Sequence, residues 1–250
     1  MTSKMRRVEP GHVYHVFNRG TNRRRLFFRD TEYAAFETLV ATTFERTALT
    51  IYTYELMPNH WHFVVRPVDQ KQLSEFFQYL AGTHGKRFRV THRTVGEGHV
   101  YQDRFKSFPV ERDEHFLVLA RYVERNALRS GLVARAEDWR WGGLWRRLHG
   151  GAEWLEPNWP VPRTDDWVER VNQRLTIAET AAIHTSIRRS CPFGTPQWVR
   201  DTADDLGLLH TLRRPGRPRV SGRRSRDRVR PVRPPVPSEA GRQLAKRAGR

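Results

Sequence analysis

Two β-rich runs, residues 50–56 (TIYTYEL) and 60–66 (HWHFVVR), are separated only by Met57, Pro58 and Asn59. So short a break with turn-forming residues predicts a β-hairpin. Strand side chains alternate with a period of two, so His60 and His62 fall on one sheet face and Trp61 on the other. Tyr52, Tyr54 and Phe63 read as core residues of the same sheet. Around this hairpin, residues 12–17 alternate as a first strand, and Asn18, Arg19 and Gly20 break it. Tyr33, Phe36, Val40 and Phe44 then repeat at helical spacing behind a possible cap at Asp30. Leu73, Phe76, Phe77 and Leu80 set a second helical stripe. Residues 101–110 alternate again, and Asp113 caps a third helix that turns Phe116, Leu119 and Val123 inward and ends at Gly131. The order β-α-β-β-α-β-α predicts an α+β fold of the ferredoxin-like type, an antiparallel sheet with helices packed on one face.

Charge separates the rest of the chain from this domain. The whole sequence has 45 Lys and Arg against 27 Asp and Glu, a net of +18, and residues 211–250 hold 14 of those cations against 2 acids. That tail has six prolines and no aromatic residue, too little apolar surface to offset the entropy of ordering it. The expected division is a domain over 1–145, a helical region over 146–210 and a basic tail over 211–250. Within the middle region, 178–189 and 196–206 form two helical stretches around a short break, a pair that fits either a DNA-binding helix-turn-helix or a pair packed on the first domain. An excess of cations this large points to a polyanionic partner. No run reaches the roughly 18 apolar residues of a membrane span, residues 1–10 lack the apolar segment of a secretory signal, and the single cysteine, Cys191, fits a reducing compartment. A cytoplasmic, nucleoid-associated protein is expected, with no membrane partner.

The chemistry-bearing residues converge on phosphodiester transfer. His60 and His62, side by side, suit a divalent metal. On the third helix, Tyr122 and Asn126 stand four residues apart on one face, with Arg121, Arg125 and Arg129 near them. A metal held by His60, His62 and the Asn126 oxygen would polarise a phosphate while the Tyr122 oxygen attacks in line, storing the bond as a phosphotyrosine. No ATP would be needed to rejoin the strand. Consistently, residues 82–87 (GTHGKR) lack the spacing and the final Ser or Thr of a Walker A loop. Taken singly, a pair of strand histidines is as often structural, and a tyrosine beside an apolar stripe is usually a core residue.

Five segments in order match a known family. MPNHWHFVV (57–65) resembles the histidine-hydrophobic-histidine segment of the single-tyrosine, IS200-like HUH transposases. YVERNALRSGLV (122–133) resembles the tyrosine helix of their domesticated branch, the REP-associated tyrosine transposases. VFNRG (16–20), YQDRFKS (101–107) and EDWRW (137–141) are further matches, and CPFG (191–194) with the basic run at 213–219 is similar to that branch's C-terminal region. The resemblance implies a metal-dependent endonuclease and strand transferase on single-stranded DNA with hairpins, REP-like palindromes, using Mg²⁺ or Mn²⁺. Carried over by position, Tyr122 is the nucleophile and His60, His62 and Asn126 are metal ligands. Arg19, Arg104 and Lys106, with Arg125 and Arg129, are candidates for DNA contacts. The stretch 215–219 (PGRPR) is similar to an AT-hook core that would lay Arg217 and Arg219 into a minor groove. Ala127 departs from the branch, which usually has proline after the asparagine. The branch is expected to act as a monomer with its tyrosine in cis, whereas insertion-sequence relatives dimerise. His15, His99 and His115 are assigned no role.

Three other functions share parts of this pattern. An RRM-like RNA binder would show exposed sheet aromatics and an RNP1 motif, which is absent. A zinc hydrolase would need a third zinc ligand and a base at His-Glu-x-x-His spacing. A catalytically retired hairpin-binding regulator would keep the scaffold and lose the chemistry.

Overall fold

The computed structural model describes residues 7–213. Its centre is a four-stranded antiparallel sheet of β1 (Val13–Arg19), β2 (Thr50–Met57), β3 (His60–Arg66) and β4 (Lys106–Val110), ordered β2-β3-β1-β4. The hairpin forms as predicted, with Met57 opposite His60 and Glu55 opposite His62. In the next strand Phe17 pairs with His62, and Lys106 of β4 pairs with Phe17. One row across the sheet therefore runs Glu55, His62, Phe17, Lys106 on a single face.

All four strands are buried along most of their length, because both faces are covered. On one face Tyr14, Val16, Tyr54, Leu56, Trp61, Phe63 and Val65 pack with α1 (Asp30–Thr47) and α2 (Gln72–Thr91). On the other, Val13, Tyr52, Val64, Phe108 and Val110 pack with Phe116, Leu119 and Val123 of α3 (Glu114–Glu124). Trp159, Trp167, Val171, Ile183 and Phe193, from beyond the sheet domain, join that second core. The α+β class and the antiparallel sheet are as the sequence predicts. The helices, however, divide between the two faces, where the pattern alone placed them on one.

Three local expectations are corrected. Asp30 does not cap α1: Arg29 holds that position, and Glu32 Oε2 accepts the Phe28 amide at 2.7 Å. The last strand spans only Lys106–Val110, since Tyr101 makes one isolated bridge to Gly20 and the Gln102 amide turns to the Arg19 carbonyl at 2.9 Å. The third helix does not run to Gly131. It breaks at Arg125 (φ −96°, ψ 0°) and restarts as α4 (Asn126–Arg129). The Ala127 amide leaves the helical ladder to donate to Glu55 Oε1 at 3.2 Å, a partner on β2. Ala127 thus sits in a first turn, where proline is also tolerated, rather than in a helix interior.

Beyond α4 follow α5 (Gly143–His149), α6 (Trp167–Asn172), α7 (Ile177–Arg189), α8 (Pro196–Asp205) and α9 (Leu209–Leu212). Gly143 lets α5 start against β2, since a Cβ there would collide with Thr53. The helix pair expected at 178–189 and 196–206 forms as α7 and α8, and α7 begins with a capping box of Thr176 and Glu179. Arg217 and Arg219, with the rest of 214–250, lie outside the described residues.

Candidate active site

The strand period puts His60 and His62 on the face that α3 covers, with ring centroids 5.0 Å apart at 88°. Tyr122 is 4% exposed, and its ring meets His62 edge-on at 6.2 Å. All three line a cavity of about 890 Å³, whose walls also carry Arg19, Arg23, Arg25, Arg104, Lys106, Arg129 and Arg188. No carboxylate but Asp103 faces these seven cations across the cavity. Such an arrangement attracts polyanions.

Each histidine is held through Nδ1. His60 Nδ1 is 2.6 Å from Asn59 Oδ1, and His62 Nδ1 is 2.8 Å from His15 Nε2. Neither Nε2 has a hydrogen-bond partner among the described residues, and both rings open on the cavity. Burial pushes His60 down to about 3, with Arg19 and Arg129 adding to the effect, and pushes His62 well below the ordinary imidazole range, with His60, His15 and the same arginines adding to it. Both rings are therefore neutral at physiological pH, the form that ligates metal.

Asn126 is fully buried at the start of α4. Its Oδ1 accepts from Arg129 Nη2 at 2.6 Å, while its Nδ2 is buried without a partner. The carbonyl oxygen retains a second lone pair. The two neutral imidazole nitrogens suit a divalent cation that keeps open positions for substrate. Asn126, the expected third ligand, is not among the residues that line the cavity, and its oxygen is engaged by Arg129.

Arg129 ties the tyrosine to this group. Its guanidinium carbon lies 4.9 Å from the Tyr122 ring centroid, and Nη2 is 3.4 Å from the phenol oxygen. Burial raises the Tyr122 pKa, and Arg129 and Arg19 oppose the rise. The phenol is protonated at neutral pH, with a cation placed to stabilise the phenolate as it forms.

Of the residues singled out from sequence, Arg19, Arg104, Lys106 and Arg129 line this cavity with the histidines and Tyr122. Arg125 does not. It turns toward α6, with Nε 3.5 Å from the Asn172 carbonyl, and lines a smaller cavity that Tyr122 also lines. Sequence reasoning passed over His15 and Asn59, which hold the two histidines. The period of two on β1 puts His15 and Phe17 on the histidine face, a signal that was present. It also missed α7, whose His184 ring stands 5.9 Å from Tyr122 and whose Ile187 and Arg188 wall the cavity. Among the described residues, Glu111, Asp113 and His115 also cluster closely enough for a metal, away from this cavity. Their hydrogen bonds are structural: Asp113 caps α3, and Glu111 accepts the Thr195 amide that precedes α8.

The family model described as "Transposase IS200 like" matches residues 10–126, from the start of the sheet through Asn126. No curated protein matches the chain. Among solved structures, one of a REP-associated tyrosine transposase bound to a REP hairpin is similar at 18% identity and TM-score 0.48, covering 70% of this chain and 99% of that one. A crystal structure of a proposed transposase from Deinococcus radiodurans is similar at 16% identity and TM-score 0.35, covering 49% of this chain and 96% of that one.

Proposed function

We propose that the chain, whose residues 10–126 match the IS200-like transposase model, is a metal-dependent single-strand DNA endonuclease and strand transferase. It cleaves at hairpins of REP-like palindromes through a 5′-phosphotyrosine on Tyr122. One observation carries this reading: the Tyr122 ring stands against His62 in a cavity lined by seven cations.

Arg19, Arg104 and Lys106 hold the strand by its phosphates. The Tyr122 oxygen attacks the scissile phosphorus and forms the phosphotyrosine bond. The bond to the 3′ oxygen breaks, and that oxygen leaves as a 3′-hydroxyl. The phenol proton passes to solvent as the bond forms, the departing 3′ oxygen takes up a proton from solvent, and Arg129 Nη2 offsets the negative charge on the attacking oxygen. His60 and His62, with Asn126, would hold Mg²⁺ or Mn²⁺, which would supply Lewis acidity at the phosphate. A 3′-hydroxyl attacking the phosphotyrosine reverses the step and joins strands without ATP.

The tyrosine and both histidines belong to one cavity of one chain, which supports action in cis as a monomer. The domain over 1–145 then carries the chemistry, and the region over 146–210 closes the cavity through α7. The tail over 211–250, with Arg217 and Arg219, adds sequence-independent attraction to phosphate. Bound to DNA, the protein associates with the nucleoid.

The test uses single-stranded oligonucleotides carrying palindromes that flank the chain's own coding sequence, with Mn²⁺ present. Cleavage that requires the metal and disappears in His60→Ala and His62→Ala supports the proposal. Tight hairpin binding with no cleavage in either Mg²⁺ or Mn²⁺ would replace it with a hairpin-binding regulator on the same scaffold.

A further inference from the structure

Tyr122 also lines a second cavity, of about 400 Å³, whose lining includes neither histidine. Arg125 reaches it from the break after α3, Arg129 from α4, and Arg174 from the segment between α6 and α7; Thr180, Leu175 and Leu128 are also in its wall. Tyr122 and Arg129 line both cavities. Arg174 is exposed and Arg125 is half-buried. Among the described residues, no carboxylate forms an ion pair with Arg125, Arg129 or Arg174.

Three guanidinium groups around one cavity repel one another. Burial lowers the Arg125 pKa, and the charges of Arg174, Arg129 and Arg121 lower it further. Glu179 acts on Arg121, yet its carboxylate is committed to the α7 capping box. A cluster that carries mutual repulsion and makes no ion pair of its own suits an anion, and planar guanidinium forks match phosphate oxygens two at a time. The volume admits a phosphate group with part of its sugar, and Leu128 and Leu175 give that sugar an apolar wall.

We propose that this second cavity binds a backbone phosphate of the DNA strand, the phosphodiester next to the one attacked by Tyr122. The inference rests on the reading of Tyr122 as the attacking group. A strand that crosses the tyrosine passes from the first cavity into the second, and the fragment joined to the tyrosine is the one whose next phosphate would be gripped by Arg125 and Arg174. That grip would hold the covalent fragment in place until a 3′-hydroxyl arrives.

The experiment measures binding of a short single-stranded oligothymidylate to the full chain by fluorescence anisotropy across a range of NaCl, with EDTA present so that nothing is cleaved. The proteins are the natural chain, Arg125→Gln, Arg174→Gln, the double variant, and Arg29→Gln. Arg29 is 72% exposed at its side chain, pairs with Glu32 and lines neither cavity. One phosphate contact on single-stranded DNA contributes about 0.7 to the slope of log K against log salt. Arg125→Gln and Arg174→Gln should each lower that slope by about 0.7, the double variant by the same amount, and Arg29→Gln by nothing. A double variant that loses twice as much, slopes that do not change, or no binding at low salt would overturn the proposal. A covalent adduct at Tyr122 with unchanged slopes would remove the cavity and keep the tyrosine; changed slopes with no adduct would keep the phosphate site and remove the tyrosine's role.

Discussion

His15 Nε2 lies 2.8 Å from His62 Nδ1, and the two rings stack 5.0 Å apart with planes 9° from parallel. His15 is fully buried, wedged against Phe17 and edge-on to Phe108, so its ring has little freedom to turn. With the His62 proton on Nδ1 and donated to His15, the lone pair of His62 Nε2 faces the cavity. Partners of this kind fix the tautomer of a ligating histidine, and their loss costs about 10–100-fold in metal affinity. His15→Ala should therefore weaken Mn²⁺ binding by about that factor, measured calorimetrically on the DNA-free protein. His99→Ala, at an exposed position, should leave the affinity unchanged.

Glu55 is 1% exposed and sits opposite His62 in the sheet, with Oε1 accepting the Ala127 amide. Burial raises its pKa well above the carboxylate range, and the neighbouring Glu124 adds to the rise. A neutral acid and a glutamine present the same oxygen to Ala127. Glu55→Gln should keep the fold's stability nearly unchanged. Glu55→Ala leaves the Ala127 amide buried and unpaired, a loss of about 1–3 kcal/mol. Urea unfolding of the two variants distinguishes these outcomes; equal losses would mean that the Ala127 contact is immaterial.

The contrast between His62 and Glu55 shows how far sequence reaches. The shared face of His60 and His62 follows from a period of two within seven residues, and no tertiary information is needed. The hairpin and the helical stripes of α1 and α2 are equally local. The break at Arg125 is set by Glu55, a residue 72 positions away from Ala127 in sequence, and no pattern along α3 announces it. The shortened β4 has the same kind of origin, in an amide that pairs with Arg19 rather than along the strand. Burial of the second sheet face came from tryptophans and helices beyond the sheet domain, whose docking partners cannot be read from spacing. Within the candidate site, the residue types were legible; the strand period gives the face of His15, the register of β1 on β3 brings it beside His62, and Asn59 holds His60 as its neighbour in the turn.

Acid should destabilise the fold in a defined window. Burial holds His15 and His84 down at about 3, against 6.5 for a free imidazole. Between those values the unfolded chain binds protons that the folded chain does not, so stability present above about pH 6.5 is lost as pH falls toward 3. Each histidine contributes a slope of about 1.4 kcal/mol per pH unit within that window. Chemical denaturation from pH 7 to 4 should show this decline, and His84→Phe should make it shallower.

Attack requires the Tyr122 phenol to lose its proton, and burial has raised its pKa above the ordinary 10.0. Single-turnover cleavage should then accelerate as pH rises from neutral, without levelling off below about pH 10. Removing the cation beside the phenol, in Arg129→Gln, should slow cleavage at neutral pH more than at alkaline pH. A rate independent of pH would place the limiting step elsewhere.

The most direct test of the phosphotyrosine is to identify the residue that carries the DNA. After incubation of the protein with Mn²⁺ and a hairpin oligonucleotide labelled at its 3′ end, the protein band would be digested and its peptides analysed by mass spectrometry. The account predicts the labelled fragment on the peptide containing Tyr122, joined by a 5′ phosphate, and no adduct in Tyr122→Phe. An adduct on any other residue, or cleavage that persists in Tyr122→Phe, would contradict it.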